Sequence, residues 1–358
     1  MKALPGVSVV VCCHNSAQRL PVTLDHLANQ QVRSGVLWEV LVVDNGSTDS
    51  TGDVARQLWP ANAPAPLRVV QEPQIGQAYA RLRGLAEASY ELLGFIDDDN
   101  WVADDWVEMA ALVASENPQV GIFGSEARGA YETPPPQWFP QCQFMYGVSP
   151  ADWATGEVNT RGRAIWGAGM VVRKPAWQDL RRQNPPQLLT GRRGRSMAAG
   201  EDAELCHQFQ LAGWRLRYDS RLSLHHYMTA NRLSWDYARR LHYGAGESSA
   251  KLAPYQEVLC GFPKRKSDWL WQTLLAAKLV LRHPLRLLRL PLRLGEGDVM
   301  TLGTELALGQ LSALLSSRGS YAKNRREVMA FAVRAHGRSW VSADMHRQID
   351  ATPRDAQS

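Results

Sequence analysis

The first half of the chain repeats one pattern, a short run that is apolar throughout followed by an amphipathic stretch, and this alternation limits the available folds more than any other feature. The runs are "VSVVVCC" (7–13), "WEVLVVD" (38–44), "LRVVQE" (67–72), "YELLGFID" (90–97) and "VGIFG" (120–124). Strands buried on both faces read this way, whereas half-exposed strands alternate polar and apolar. Between the runs, Leu20, Leu24 and Leu27 recur at helical spacing behind a candidate Ser16 cap, and Val54 and Leu58 are expected to face inward from a second helix. "IGQAYARLRGLAEA" and "ADDWVEMAALVAS" supply two more amphipathic segments. The expectation is an α/β fold, a Rossmann-like, mostly parallel sheet flanked by helices. Ligands of such sheets sit beyond the carboxyl ends of the strands.

That rule gives weight to the stretch "LLGFIDDDNW" (92–101), where three acids end an apolar run. Repulsion among Asp97, Asp98 and Asp99 costs free energy unless positive charge lies among them. Alternation along a strand would bring Asp97 and Asp99 to one face and turn Asp98 away, while Asp44 ends the second strand toward the same crevice. Mg²⁺ or Mn²⁺, which prefer oxygen ligands and share them with phosphate, would relieve the repulsion. The competing reading is helix capping near Asp104, but Asp104 and Asp105 already suit that task. Other phosphate-binding patterns are missing. "CCHNSAQRL" has no glycine where a dinucleotide fold wants G-x-G-x-x-G, no P-loop occurs, and "DDDNW" lacks the threonine of D-x-D-x-T.

Composition narrows the class. With 358 residues, 45% of them hydrophobic, the chain can bury one large core with appendages. A net charge of +5 is mild for a nucleic-acid binder of this size, so no nucleic-acid partner is expected. Five cysteines without C-x-x-C spacing suggest neither a disulfide framework nor zinc, and the chain opens without a secretory-signal pattern. A reducing, cytoplasmic setting is the expectation.

"GEDAELCHQFQLAG" (200–213) marks a second chemical site. Leu205, Phe209 and Ala212 form an inward stripe with Gly213 as the stop, which puts Glu201 and Asp202 in the first turn of a helix. Acids there are stabilised by the helix dipole whether or not they do chemistry.

The stretches "VSVVVCCHNSAQRLPVTLDHL", "VLVVDNGSTDST", "GQAYARLRGL", "FIDDDNWV", "WGAGMVVRKPAW" and "GEDAELCHQFQLAGWRL", in this order, resemble the nucleotide-sugar glycosyltransferases of family 2, which have the GT-A fold. The resemblance covers roughly residues 7–227. It departs from the family at Cys13-His14-Asn15, where Thr-Tyr-Asn is usual, and at Arg81-Leu82, where Arg-Asn is usual. It implies an inverting, metal-dependent transferase taking a nucleotide sugar, commonly a UDP-sugar, to a hydroxyl acceptor. Asn15, Asp44, Arg81, Asp97 and Asp98 would then meet the donor, with Asp44 accepting from the base and Asp97 near the ribose or sugar. An Asx-type turn in "DNGSTD" is the alternative for Asp44. Asp99 would hold the metal, together with a histidine that the family often supplies at "LHHY"; alternation lets only one of His225 and His226 face the metal, and spacing favours His226. Asp202 would be the base that takes the acceptor's proton, with Glu201 orienting the acceptor. A single inverting displacement needs no protein nucleophile. "TGRRGRSMAAG" (190–200) could close over the donor. Trp101, Trp138 and Trp166 are candidates for stacking on sugar rings, with packing as their default.

The C-terminal third changes character. Residues 264–297 mix leucine and tryptophan with Lys264, Arg265, Lys266, Lys278, Arg282, Arg286, Arg289 and Arg293. The uncharged run 269–277 is far shorter than the ~20 residues that span a bilayer, so the segment suits an anionic membrane surface, or else a helix packed on the catalytic domain with a solvated basic face. The organisation read from the sequence is a catalytic domain (1–230), a connecting segment (231–263), the basic amphipathic segment (264–297), and a helical C-terminal region with a frayed tail (298–358). Peripheral attachment to the inner membrane face, with a glycan or lipid-linked acceptor, completes the expectation. A sugar nucleotidyltransferase and a non-catalytic nucleotide-sugar-binding scaffold are the rival readings; the first usually needs a glycine-rich basic loop after the first strand, which "CCHNSAQRL" lacks.

Overall fold

Strands β1 (Val7–Cys13), β2 (Trp38–Asp44) and β4 (Leu92–Asp97) are buried along nearly their whole length, as their unbroken apolar runs require. The computed structural model describes residues 4–158, 164–189, 197, 199–260, 269–282, 284, 287 and 296–336. With β3 (Leu67–Gln71), the three strands form a parallel block in the order β3-β2-β1-β4. Helices α1 (Leu20–Ala28), α2 (Thr51–Leu58) and α3 (Gln77–Glu87) make the crossovers.

Beyond β4 the sheet turns mixed. Strand β5 (Asn100–Val102) follows β4 after a two-residue turn, and helix α4 (Trp106–Glu116) leads into β6 (Val120–Tyr131). After β7 (Gly156–Glu157) come β8 (Met170–Arg173), helices α5 (Lys174–Arg182) and α6 (Glu201–Leu211), and β9 (Arg215–Met228). The nine-stranded sheet continues β4-β8-β6-β9-β5, with β7 on β9. Strand β8 runs antiparallel to both β4 and β6, β6 and β9 pair in parallel, and β5 and β7 each run antiparallel to β9. The parallel half was readable from its apolar runs; the antiparallel half was not, because strand direction leaves no trace in periodicity.

Successive side chains on β1 explain the layers. Val10 joins Leu41, Val43, Leu93 and Phe95 on one face, packed by Ala80, Trp177, Leu205 and Phe209 from α3, α5 and α6. Val9 and Val11 join Val40, Val42 and Ile96 on the other, covered by Leu20, Leu24, Ala55, Trp106 and Ala110 from α1, α2 and α4. Two expectations are corrected here. Leu58 is 50% exposed and Val54 only partly buried, and α2 turns Thr51, Gly52 and Ala55 inward instead. Ser16 does not cap α1: its hydroxyl accepts from the His14 N–H, and its carbonyl accepts from the Arg19 and Leu20 N–H groups that open the helix.

Helices α7 (Trp235–Cys260), α8 (Trp269–Leu281), α9 (Val299–Ser316) and α10 (Tyr321–His336) follow the sheet. Leu252, Tyr255 and Val258 of α7 and Val328, Phe331 and Ala332 of α10 enter the same core as α6. Glu257 ties the two helices, accepting from Tyr321 Oη at 2.8 Å and Arg325 Nε at 2.9 Å. Helices α7 and α9 touch backbone to backbone: a Cβ at Gly246 would strike Leu306 O, and one at Gly309 would strike Tyr243 O. Helix α9 is long and apolar enough to cross a membrane by length and composition, yet it also carries Glu305, paired with Arg239 of α7 at 2.6 Å, and the buried Thr301 and Thr304. The basic residues Lys264, Arg265, Lys266, Arg286, Arg289 and Arg293, most of the loop 190–200, and the tail from 337 lie outside the described residues.

Candidate active site

The carboxyl ends of β1, β2 and β4 open into one cavity of about 770 Å³, large enough for a nucleotide-sized ligand. It is lined by Arg81, Asp97, Asp98, Asp99, Glu201, Asp202 and His226, so seven of the nine site residues read from the sequence share one cavity.

The acidic cluster is built by a turn rather than a strand. Strand β4 ends at Asp97, Asp98 and Asp99 turn, and β5 starts at Asn100. The expected alternation therefore stops at Asp97, and Asp98 faces the cavity with its neighbours instead of away from them. Asn100, fully buried, closes the turn: its Oδ1 accepts from Asp97 N at 3.0 Å and its Nδ2 donates to Asp99 Oδ1 at 3.0 Å. Pairing of β5 with β9 sets Asn100 opposite His226, and Tyr227 N donates to Asp99 O at 2.8 Å. His226 thus lies beside Asp99, with Nε2 3.5 Å from Oδ1, while His225 is exposed.

Two arginines supply the positive charge that the sequence demanded. Arg19, at the start of α1, donates from Nη2 to Asp98 Oδ2 at 2.6 Å. Arg232, in the short turn after β9, donates from Nη1 to Asp99 Oδ2 at 2.7 Å and lies 3.3 Å from His226 Nε2. Burial works to raise the Asp99 pKa, but His226, Arg232 and Arg19 outweigh it and hold the carboxyl well below its ordinary range. Asp97 is less well served. Burial and the neighbouring Asp99 push it up, Arg81 only partly offsets them, and its carboxylate accepts from Gln77 Nε2 at 3.3 Å.

On the other wall, Glu201 and Asp202 occupy the first turn of α6, as expected. Asp202 Oδ2 accepts from Gly167 N at 2.8 Å and Oδ1 from Ala203 N at 2.8 Å, so two backbone donors fix the carboxylate. A Cβ at Gly167 would collide with the Arg81 guanidinium, so this glycine lets Arg81 and Asp202 approach one peptide from two sides. Glu201 Oε1 is buried without a hydrogen-bond partner. Trp166 lines the cavity, stacked on Trp153 at 4.8 Å. Trp138 packs on Trp235 in a separate core, and Trp101 stacks on Tyr227, so neither lines the cavity.

Asp44 and Asn15 lie off the cavity wall. Asp44 Oδ1 accepts from Ser47 N at 3.2 Å, the local turn weighed as its alternative, and Oδ2 accepts from Gln71 Nε2 at 2.9 Å. Asn15, at φ +51°, accepts from Thr48 N at 2.8 Å. Their neighbours His14 and Asn45 reach the cavity, with His14 Nδ1 2.8 Å from Asn45 O. Asn45 in turn holds the loop before α3 through Glu72 O, Gln74 O and Gly76 N. Sequence reading had no means to find Arg19, Asn45 or Arg232, which sit in ordinary polar turns with no periodic signal.

Asp97, Asp99 and His226 offer the oxygen and imidazole atoms that Mn²⁺ or Mg²⁺ accept. Among the described residues, however, no three such side chains converge, and Arg232 stands against both Asp99 and His226. The donors suit the ion in kind, but the arrangement seen leaves its place to an arginine.

Residues 8–158 match glycosyl transferase family 2. This stretch of the chain is a family 2 glycosyltransferase domain. Its relatives include the glycosyltransferase AglE of Haloferax volcanii, 34% identical over 128 residues that make up 36% of this chain and 41% of AglE. The succinoglycan biosynthesis protein ExoM of Rhizobium meliloti is 24% identical over 246 residues, 69% of this chain and 74% of ExoM. The chain spans 41% of AglE and 33% of the Bacillus subtilis protein EpsH, well under the full length of either. The S. aureus TarS fragment 1–349, solved in complex with UDP-GlcNAc, superimposes with a TM-score of 0.50 at 18% identity, covering 94% of this chain and 91% of that one. The chain thus has the GT-A fold, with the acidic turn after β4 and the Glu201–Asp202 pair on one cavity.

Proposed function

We propose that the protein is an inverting glycosyltransferase that moves a sugar from a nucleoside diphosphate, with UDP as the first candidate, to a hydroxyl acceptor in glycan synthesis. One observation carries this reading: a single cavity joins an acidic turn, a buried arginine and a carboxylate held by backbone donors. Asp202 is the general base. Its two oxygens are oriented by Gly167 N and Ala203 N, and it takes the acceptor's proton as the hydroxyl oxygen bonds to the anomeric carbon and the bond from that carbon to the diphosphate breaks. Attack from the face opposite the leaving group inverts the centre. Glu201, whose Oε1 lacks a partner, accepts from an acceptor hydroxyl and orients it. Arg81, close to Asp97, neutralises negative charge near the leaving diphosphate. Asp99 and His226 would hold Mg²⁺ or Mn²⁺ once Arg232 leaves them, and the ion would add charge neutralisation at the diphosphate.

The reading extends to the membrane. Leu270, Trp271, Leu274, Leu275 and Leu279 of α8 are exposed at helical spacing, beside Lys278 and Arg282. Such a face suits the inner surface of an anionic bilayer and a lipid-linked or envelope-glycan acceptor. Asp202→Asn is expected to lose about 10² to 10⁴ in transfer rate, the range for a general base, while nucleotide-sugar binding followed by thermal stabilisation persists. Unchanged turnover would remove Asp202 from the mechanism. Stabilisation without turnover in the wild-type chain would favour a non-catalytic binder.

A further inference from the structure

The place between Asp99 and His226 is already held by a cation of the chain's own. Arg232 Nη1 is 2.7 Å from Asp99 Oδ2 and 3.3 Å from His226 Nε2, and the side chain is only 25% exposed while lining the cavity. Its guanidinium carbon lies 6.0 Å from the Tyr237 ring centroid, within cation–π reach. Its Nε is buried without an acceptor, and so is the neighbouring His226 Nδ1. With Arg19 on Asp98, two of the three acids are neutralised by fixed guanidinium groups before any ligand arrives. A guanidinium presents a planar fork of N–H donors that matches phosphate oxygens, and it stays charged at any physiological pH.

We infer that Arg232 binds the diphosphate of the donor directly, so that nucleotide binding does not depend wholly on a divalent cation. This inference rests on the nucleotide-sugar reading. Asp99 and His226 then act as the counter-groups that aim the guanidinium into the cavity when no donor is present. The diphosphate competes for the same N–H donors on entry.

The test is titration calorimetry of the full chain with UDP, GDP and dTDP, each in EDTA and in Mn²⁺, followed by the nucleoside of whichever binds tightest. Wild type is expected to bind that nucleotide in EDTA. Arg232→Gln should weaken this metal-free binding by about 10- to 100-fold, the worth of a charge-assisted hydrogen bond, with Arg232→Lys in between. The nucleoside, which lacks phosphates, should bind both variants like wild type, which separates a phosphate contact from a collapsed pocket. The inference is overturned if wild type binds only in Mn²⁺, if Arg232→Gln binds in EDTA as wild type does, or if the nucleoside is weakened by the same factor. If no nucleotide binds under either condition, the parent reading falls and takes this one with it.

Discussion

Asp97, Asp98 and Asp99 are adjacent in sequence, yet the protein answers their charges in three different ways. Asp98 has Arg19, Asp99 has Arg232 and His226, and Asp97 has the weaker company of Arg81 and Gln77. That three acids would need positive charge was readable from their spacing; that arginines supply it was not. Glu204 shows the same limit. On α6 it reads as an ordinary polar position, but it is buried and accepts from Leu188 N and Leu189 N, anchoring the chain ahead of the loop that leads to Asp202. Burial, aided by Glu201 and opposed by those two N–H groups, pushes it from an ordinary 4.5 up to about 7. The folded state therefore keeps a proton that the unfolded chain releases near pH 4.5. Stability from this group is full below that pH and declines as pH rises to about 7, by at most about 1.4 kcal/mol per pH unit. Glu204→Gln keeps an acceptor for both N–H groups and loses the titration, so its melting temperature should fall less than that of wild type between pH 5 and pH 7. An unchanged slope would assign the effect to another group.

Among the elements, the strands were the most legible. The sequence runs 7–13 and 38–44 coincide with β1 and β2, because a strand buried on both faces must be apolar at every position. Helices with an amphipathic stripe were found, but their facing was less secure, as Leu58 shows. Helix α9 was recognised as a helix without any sign of how closely it meets α7. Gly246 and Gly309 decide that approach, since each faces the partner's backbone where a side chain would not fit. Gly309→Val should push the helices apart at a cost of about 1–3 kcal/mol, the range for overpacking, read as a lower denaturant midpoint with unchanged slope. Equal midpoints would mean that the crossing is looser than described.

At the scale of the whole molecule, the helices after the sheet are tied to it: α7 and α10 share a core with α6, and Glu257 bridges them. Helix α8 leans on α9, with Ala276 packed on Ala313 and Leu314 and Trp269 Nε1 donating to Leu314 O at 2.7 Å, but it buries only Ala276 and Val280 while its leucines and Trp271 are 42% to 67% exposed. Apolar side chains grouped on one helical face are costly in water unless something covers them. Sedimentation with vesicles should show the wild-type chain bound to anionic lipid, less so at high salt, and a Leu270→Asp/Leu274→Asp variant released while still folded; equal sedimentation of the two would assign the face to another occupant. The layered α/β architecture, the position of the acidic cluster at a strand's carboxyl end, and the placing of Glu201 and Asp202 in a helical first turn were legible in the sequence, since all three follow from periodicity over a few residues. Tertiary structure alone decided which cations meet the acids, because Arg19 and Arg232 are 79 and 133 residues from their partners. Charge pairing across such separations follows from strand order and turn geometry, which local patterning does not encode.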